Sequence, residues 1–360
     1  AAPPSLSLGT SVRARPPRTE PRTGGRKAAQ ADAQRRCDPQ HLAPAPVCGH
    51  FPGYGLKSSE IMLTLAERLA RRVLHASGLR SRHVVTRAGK IHLLESPGGG
   101  SLPPIVVLHG FAAHAVCYAG LLKRFQPHVR RVMAPDMPGH GFSDPHRGHA
   151  PTSMLDALHE VLDRTLDEPA ILLGNSMGGL GAIRYALARP ERVAGLVLVS
   201  PGGAPLPADE FEAFRGRFRI DTHGQALEFV DDIFAKVPPL MHHLLALNIK
   251  KRFAHPQLKQ LIGEISPELM LAPEELARLQ MPTLLIWGRE ERLLPRAHFR
   301  FFVQNLPAHA FIEEFSDFGH IGFMEQPAAL TRRVLEFAHH VGVNEAAQRR
   351  STLEVAHATL

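Results

Sequence analysis

The sequence predicts an α/β domain with a mostly parallel, doubly wound sheet and a helical cap inserted between two late strands. Three observations carry this expectation. Short continuous apolar runs (IVVLH at 105–109, AILLGN at 170–175, AGLVLVS at 194–200, TLLIW at 283–287) have the pattern of strands covered on both faces. Segments of helical periodicity lie between them. The alternation is interrupted once, where residues 203–280 contain only helical segments.

Taken in order, strands are expected at 83–87, 90–95, 104–109, 131–135, 170–175, 194–200, 283–287 and 311–315. Helices are expected at about 115–126, 152–166, 177–188 and 326–341. Residues 81–202 and 281–342 then form the α/β core. Residues 203–280 form a cap over the C-terminal ends of the strands, where α/β sheets bind ligands.

The flanks differ in composition. Residues 1–56 are rich in Pro, Ala, Arg, Gly and Ser, lack apolar periodicity and are expected to be disordered. The chain has 360 residues and a formal net charge of +8, and residues 1–50 hold seven Arg and one Lys against three acids. The basic balance therefore belongs mostly to the tail. With no basic aromatic module or finger spacing, no nucleic-acid partner is expected. Within 57–80, an amphipathic helix at 59–76 has Ile61, Met62, Leu65, Leu69 and Val73 on one stripe and Arg68, Arg71 and Arg72 off it. Docking on its own domain is the first expectation, and a peripheral membrane or lipid contact the alternative. Met62 could be the natural start, with residues 1–61 an over-extended reading frame; peptides from that stretch in the natural protein would refute this. Residues 343–360 are expected to form a C-terminal tail.

No secretory signal or apolar run of membrane-spanning length is recognised, so a cytoplasmic location is expected. Cys37, Cys48 and Cys117 make neither a disulfide framework nor a metal-ligand set. No metal, cofactor or defined protein partner is expected. The pairs His242–His243 and His339–His340 fall on helical segments and are assigned to solvated or packed surfaces.

The chemistry-bearing residues lie at strand ends. AILLGN runs into Gly174-Asn175-Ser176-Met177-Gly178-Gly179 ahead of a helix. This is a G-x-S-x-G turn in strand–turn–helix context, which lifts Ser176 Oγ clear of the sheet as a nucleophile. Gly174 and Gly178 are needed where strand and helix cross closely. A hydroxyl is a weak nucleophile unless a base removes its proton. The run IVVLH ends in His109-Gly110-Phe111-Ala112-Ala113-His114. Such a turn supplies one oxyanion donor, the Phe111 N–H, and the residue after the nucleophile supplies the other, the Met177 N–H. His109 is assigned to bracing this turn and His114 to the substrate pocket. The segment Asp136-Met-Pro-Gly-His-Gly-Phe-Ser-Asp144 is dense in turn formers and is assigned to shaping the loop beneath the site.

A base and an acid should follow the nucleophile in the order Ser, Asp/Glu, His. Among 22 histidines, His320 stands on the loop after the last strand, in Asp317-Phe-Gly-His320. No carboxylate follows the strand at 194–200 until Asp209, so the acid falls to Glu290, Glu291 or Asp317.

From about residue 83 to 341 the chain resembles the α/β-hydrolase superfamily. The matching segments are HGF, D-x-P-G-x-G-x-S-D, GNSMGG, WGREE…P and GH…E-x-P, in that order. Family members with Asp at the elbow, such as haloalkane dehalogenases and epoxide hydrolases, are set aside by Ser176. In the family segment W-G-x-x-D-x-x-x-P the Asp is the triad acid. Trp287-Gly288-x-x-Glu291-x-x-x-Pro295 puts Glu291 on that position, and Glu can orient the His as Asp does.

Two branches are similar. Carboxylesterases and monoacylglycerol lipases share VLHGFAAH, PDMPGHG and an apolar cap. Meta-cleavage-product C–C hydrolases share LLGNSMGG and SPGG. The latter usually have a Gly-rich oxyanion turn and a Trp after the catalytic His, where this chain has Phe111-Ala112-Ala113 and Ile321. The expectation is therefore a serine hydrolase of carboxylic esters with apolar acyl groups, with C–C hydrolysis as the alternative. A non-catalytic binding protein of the same fold is a remote third reading. Leu227, Phe229, Phe234, Leu240, Met241, Leu244 and Leu245 are assigned to the cap, where they line an apolar pocket or form the cap's own core.

Overall fold

A computed structural model describes the backbone of residues 78–145 and 152–358, with side chains over 78–145 and 154–343. The predicted tail 1–56, the helix 59–76, Cys37 and Cys48 lie outside the described residues.

Eight strands form one sheet: β1 (Arg80–Thr86), β2 (Gly89–Pro97), β3 (Ile105–Leu108), β4 (Arg131–Pro135), β5 (Ala170–Ser176), β6 (Val193–Pro201), β7 (Thr283–Gly288) and β8 (Phe311–Phe315). Their order is β1-β2-β4-β3-β5-β6-β7-β8. β1 and β2 form an antiparallel hairpin, and β2 runs antiparallel to β4. From β4 to β8 every pairing is parallel.

Parallel strands are buried on both faces, so alternate residues feed two separate cores. Ile105, Val107, Ile171, Leu173, Val197, Val199, Leu284 and Ile286 pack on one face. They meet α1 (Ala119–Phe125) and the long helix α11 (Pro327–Ala358), through Leu122, Phe125, Leu330, Val334 and Phe337. Val106, Leu108, Leu172, Leu198, Leu285 and Trp287 pack on the other. They meet α2 (Thr152–Thr165), α3 (Met177–Ala188) and α9 (Arg296–Asn305), through residues including Leu158, Val161, Ile183 and Phe302. Tight two-sided burial explains why these strands read as continuous apolar runs.

Between β6 and β7 lie α4 (Ala208–Gly216), α5 (His223–Ile233), α6 (Pro239–Phe253), α7 (Pro256–Glu264) and α8 (Pro273–Ala277), with no strand. Thr222 starts α5 with a capping box: its hydroxyl accepts the Gln225 N–H, and Gln225 Oε1 accepts the Thr222 N–H at 2.9 Å. α10 (Gly322–Glu325) is one short turn after the last strand.

Three expectations are corrected. The helix expected over 115–126 is broken into a 3₁₀ turn (Ala115–Tyr118) and α1, because Tyr118 leaves helical geometry where its hydroxyl is drawn into the core. α9 was not anticipated; it begins after Pro295 without a capping side chain and is held by burial of Phe299 and Phe302. The C-terminal tail expected at 343–360 is helical to Ala358, since α11 meets no Pro after Pro327 and continues through Ala- and Glu-bearing sequence.

Candidate active site

The site gathers at the C-terminal ends of β3, β5, β7 and β8. Ser176 ends β5 with φ 52° and ψ −121°, a left-handed backbone that places its side chain above the sheet. The close crossing of β5 and α3 requires glycine. A Cβ on Gly178 would lie 2.1 Å from Leu108 O, and one on Gly174 would lie 2.4 Å from Gly178 O.

His320 is 5% exposed and stands on the loop between β8 and α10. Its Nδ1 lies 2.8 Å from Glu291 Oε2. The Glu291 side chain is fully buried, and its other oxygen accepts the Leu293 and Leu294 N–H groups at 2.9 and 3.0 Å. Burial alone would raise this carboxyl. The charge and hydrogen bond of His320, with the Leu294 amide, more than offset it and hold the carboxyl below its ordinary value. A carboxylate so placed fixes the imidazole with Nδ1 protonated and Nε2 free to accept a proton.

The neighbouring candidates do different work. Glu290 Oε2 accepts the Phe318 N–H at 3.1 Å, bracing the histidine loop. Asp317 has φ 53° and turns outward, where its carboxylate meets Lys236 Nζ at 2.6 Å. Among these three acids the structure brings Glu291 to His320.

The loop is tied to the strand that ends in Ser176. Asn175 Nδ2 donates to Val199 O and to His320 O at 3.0 and 3.2 Å, while Asn175 Oδ1 accepts the Tyr118 hydroxyl at 2.9 Å. Asn175 therefore links the elbow to the loop that carries His320. Glu325 adds a link to the cap: one oxygen accepts the Gly319 N–H at 2.8 Å and the other the Ala235 N–H at 2.7 Å. The sequence showed Glu325 only as part of a motif; its role as a cap-to-loop clamp was not legible. Glu325→Ala leaves both amides without this partner. It is expected to lower kcat about tenfold or more with a smaller change in KM, and to leave the melting transition within a few degrees; steady-state kinetics and calorimetry check this.

The turn after β3 approaches Ser176 closely. A Cβ on Gly110 would come within 3.3 Å of Ser176 Cβ, and Ala112 adopts φ 58°. Phe111 and Met177 follow Gly110 and Ser176, so their N–H groups belong to the two segments that meet there. His109 is fully buried; its Nε2 accepts the Met137 N–H at 2.8 Å, and its Nδ1 lies 2.8 Å from Gly110 O. Burial lowers its pKa, which keeps it neutral and engaged in bracing this turn. Asp136 is also buried, within 2.8 Å of His92 Nδ1, and accepts the Ala115 and Phe142 N–H groups. Burial opposes its ionisation, but His92 and the other neighbouring histidines hold its carboxyl far below the ordinary range. His114 corrects an expectation: it is 1% exposed, lines neither chamber, and its carbonyl accepts the Cys117 N–H at 3.0 Å.

Two chambers meet at Ser176. The smaller, about 110 Å³, is walled by Phe111, Met177, Leu180, Phe211, Leu269 and Met270; among the described residues its ionisable groups are Glu264 and His298, and none is Lys or Arg. Burial, first of all, lowers His298 to about 4, so this imidazole is neutral. The larger, about 430 Å³, contains His320, Tyr118, Phe229, Phe234 and Leu245, with Asn248, Lys251, Arg252 and His255 from the cap. Arg252 also donates to Ala112 O at 2.7 Å, so the cap braces the turn beside Ser176. Of the cap residues marked in the sequence, Phe229, Phe234 and Leu245 line this chamber and Leu227 packs on the core. Leu240, Met241 and Leu244 are instead exposed. His242 meets Asp231 at 3.0 Å, His243 stacks on His223, and His339 and His340 are exposed on α11.

A family model described as the alpha/beta hydrolase fold matches residues 103–237. A 2-hydroxy-6-oxononadienedioate/2-hydroxy-6-oxononatrienedioate hydrolase of Cupriavidus pinatubonensis is 30% identical over 276 residues, covering 71% of this chain and 94% of the relative. The chain belongs to the α/β-hydrolase family. A second member, a 2-hydroxy-6-oxo-6-phenylhexa-2,4-dienoate hydrolase of Burkholderia cepacia, is 30% identical over 266 residues, 69% of this chain and 91% of that one. Among solved structures, a bacterial membrane phospholipase A superposes with a TM-score of 0.66 at 23% identity, covering 77% of this chain and 91% of that one. That likeness establishes the α/β-hydrolase fold, as does the sheet order. The family membership and the names of these relatives make the protein a hydrolase. Among the described residues, no helix is long and apolar enough to cross a membrane.

Proposed function

We propose that this α/β-hydrolase is a serine-dependent C–C bond hydrolase acting on 2-hydroxy-6-oxo-dienoates with an uncharged, apolar 6-substituent. The observation that carries the proposal is the polarity of the two chambers flanking Ser176: one apolar and, among the described residues, without Lys or Arg, the other holding Lys251, Arg252 and His255. A substrate with an apolar arm, a central carbonyl and a carboxylate arm fits that division. The names of the relatives support the same class. This reverses the order expected from sequence, where Phe111-Ala112-Ala113 and Ile321 weighed toward esters.

In the proposed reaction the 2-enol gives up its hydroxyl proton and C5 takes one, producing a vinylogous diketone. His320 removes the Ser176 proton as Oγ attacks the C6 carbonyl. The Phe111 and Met177 N–H groups hold the tetrahedral oxyanion, each worth about 3 kcal/mol in comparable sites. The C5–C6 bond breaks, and its electron pair is delocalised from C5 to the C2 carbonyl oxygen as a dienolate. His320 returns the proton to that fragment, then activates water to release the acid from Ser176. Glu291 stays ionised and steadies the imidazolium.

The proposal distinguishes among dienoates. Glu264 in the apolar chamber would repel a terminal carboxylate on the 6-substituent, so a 6-phenyl substrate should outcompete a dienedioate. Lys251→Met is expected to raise KM for the 6-phenyl dienoate about tenfold, with little effect on uncharged esters. Parallel kinetics on the two substrate types check this.

Carboxylic ester hydrolysis is the second reading, favoured by Ile321 and the non-glycine oxyanion turn. Turnover of 2-hydroxy-6-oxo-6-phenylhexa-2,4-dienoate measured against a p-nitrophenyl ester series separates the two. The proposal expects kcat/KM for the dienoate to exceed the best ester by at least about tenfold. Ester turnover with no dienoate cleavage would replace it with the second reading.

A further inference from the structure

One surface on the cap is unexplained by the reaction. Helix α6 (Pro239–Phe253) turns Leu245 and Ile249 toward the larger chamber and buries Ala246 and Phe253. Its opposite side is also apolar: Leu240, Leu244 and Leu247 are 78%, 48% and 57% exposed, and Met241 is 46% exposed. The leucine spacings of four and three residues put them on one helical stripe. Apolar exposure repeated along one helix is unusual on a solvated surface and marks a contact with something apolar.

The charges on α6 indicate the partner. Its sequence, PLMHHLLALNIKKRF, contains no Asp or Glu. Lys250 follows the leucine stripe in the last turn, with no carboxylate partner among the described residues. An apolar stripe followed by such a lysine matches a membrane interface with anionic headgroups, where leucines enter the acyl boundary and the lysine meets phosphate. Two copies pairing through this face would offer no acidic residue of α6 to that lysine.

We infer that the outer face of α6 docks on an anionic phospholipid bilayer. The inference is independent of which bond the site cleaves.

The test is vesicle flotation of the full chain with phosphatidylcholine vesicles and with mixed phosphatidylcholine–phosphatidylglycerol vesicles. Wild type is expected to float with the mixed vesicles and much less with phosphatidylcholine alone. The triple variant Leu240→Ser, Leu244→Ser, Leu247→Ser is expected to bind at least about tenfold more weakly while retaining kcat/KM on a soluble substrate. Lys250→Glu, which leaves the stripe intact, is expected to weaken binding to mixed vesicles severalfold and to leave the phosphatidylcholine background unchanged. The inference is overturned if wild type binds neither vesicle, or if both variants float as wild type does, which would assign binding to another segment such as residues 1–77. It is equally overturned if wild type sediments as a dimer that the triple variant dissociates, which would make the face a self-interface.

Discussion

Replacing Ser176 with alanine should lower kcat by about 10⁴-fold or more on any substrate the wild type turns over, with KM little changed. The residual rate would come from binding and the oxyanion donors alone. The variant should fold as wild type does, because Ser176 makes no packing contribution that alanine lacks beyond its hydroxyl. A finer version separates chemistry from strain. Ser176 holds φ 52°, a conformation that costs a non-glycine residue roughly 1 kcal/mol. Ser176→Gly should therefore be as inactive as Ser176→Ala and yet at least as stable, despite the entropic cost of glycine. Progress curves and thermal melts on the three proteins check both statements.

Glu291→Gln should be the next most damaging change, lowering kcat by about 10² to 10⁴-fold. The amide keeps the shape, but it no longer stabilises the imidazolium and can favour the wrong tautomer. Glu290→Gln should cost far less, since Glu290 Oε2 accepts the Phe318 N–H and an amide oxygen can do the same. The contrast between two adjacent glutamates is the sharper result, because a general loss of loop order would affect both. Glu291 also has a signature in stability. Its folded pKa is lowered, so the unfolded state binds the proton more readily as pH falls. Its contribution is present above the unfolded carboxyl value of 4.5 and is lost as pH falls through the lower folded value. Asp136, lowered in the same sense, loses its contribution over the same acid side. In Glu291→Gln the acid limb of the stability curve should be shallower than in wild type, measured by denaturant melts at successive pH values.

The legible parts of this molecule are those where one physical demand dominates. Two-sided burial writes β3, β5, β6 and β7 as unbroken apolar runs, so their positions could be read within a residue or two. The turn at Ser176 was legible because backbone crossing excludes a Cβ at Gly174 and Gly178. α9 carries an amphipathic pattern, with His298, Phe299 and Phe302 buried on one face, but its aromatic side chains have modest helix propensity and no capping side chain marks its start. The choice between Glu290 and Glu291 could be narrowed by motif spacing, but the divergence of the two side chains is a matter of three-dimensional direction. The polarity of the chambers was least legible. Lys251 and Arg252 are more than 70 residues from Ser176, and nothing local to α6 says that they border the same space.

The most direct test of the central claim, that Ser176 is the nucleophile activated by His320 and Glu291, is covalent labelling with a fluorophosphonate followed by peptide mass spectrometry. Wild type should carry one stable adduct, on Ser176. Glu291→Gln should acquire the same adduct at least about 100-fold more slowly, and Ser176→Ala should acquire none. A stable adduct on a different residue, or a labelling rate unchanged in Glu291→Gln, would contradict the account.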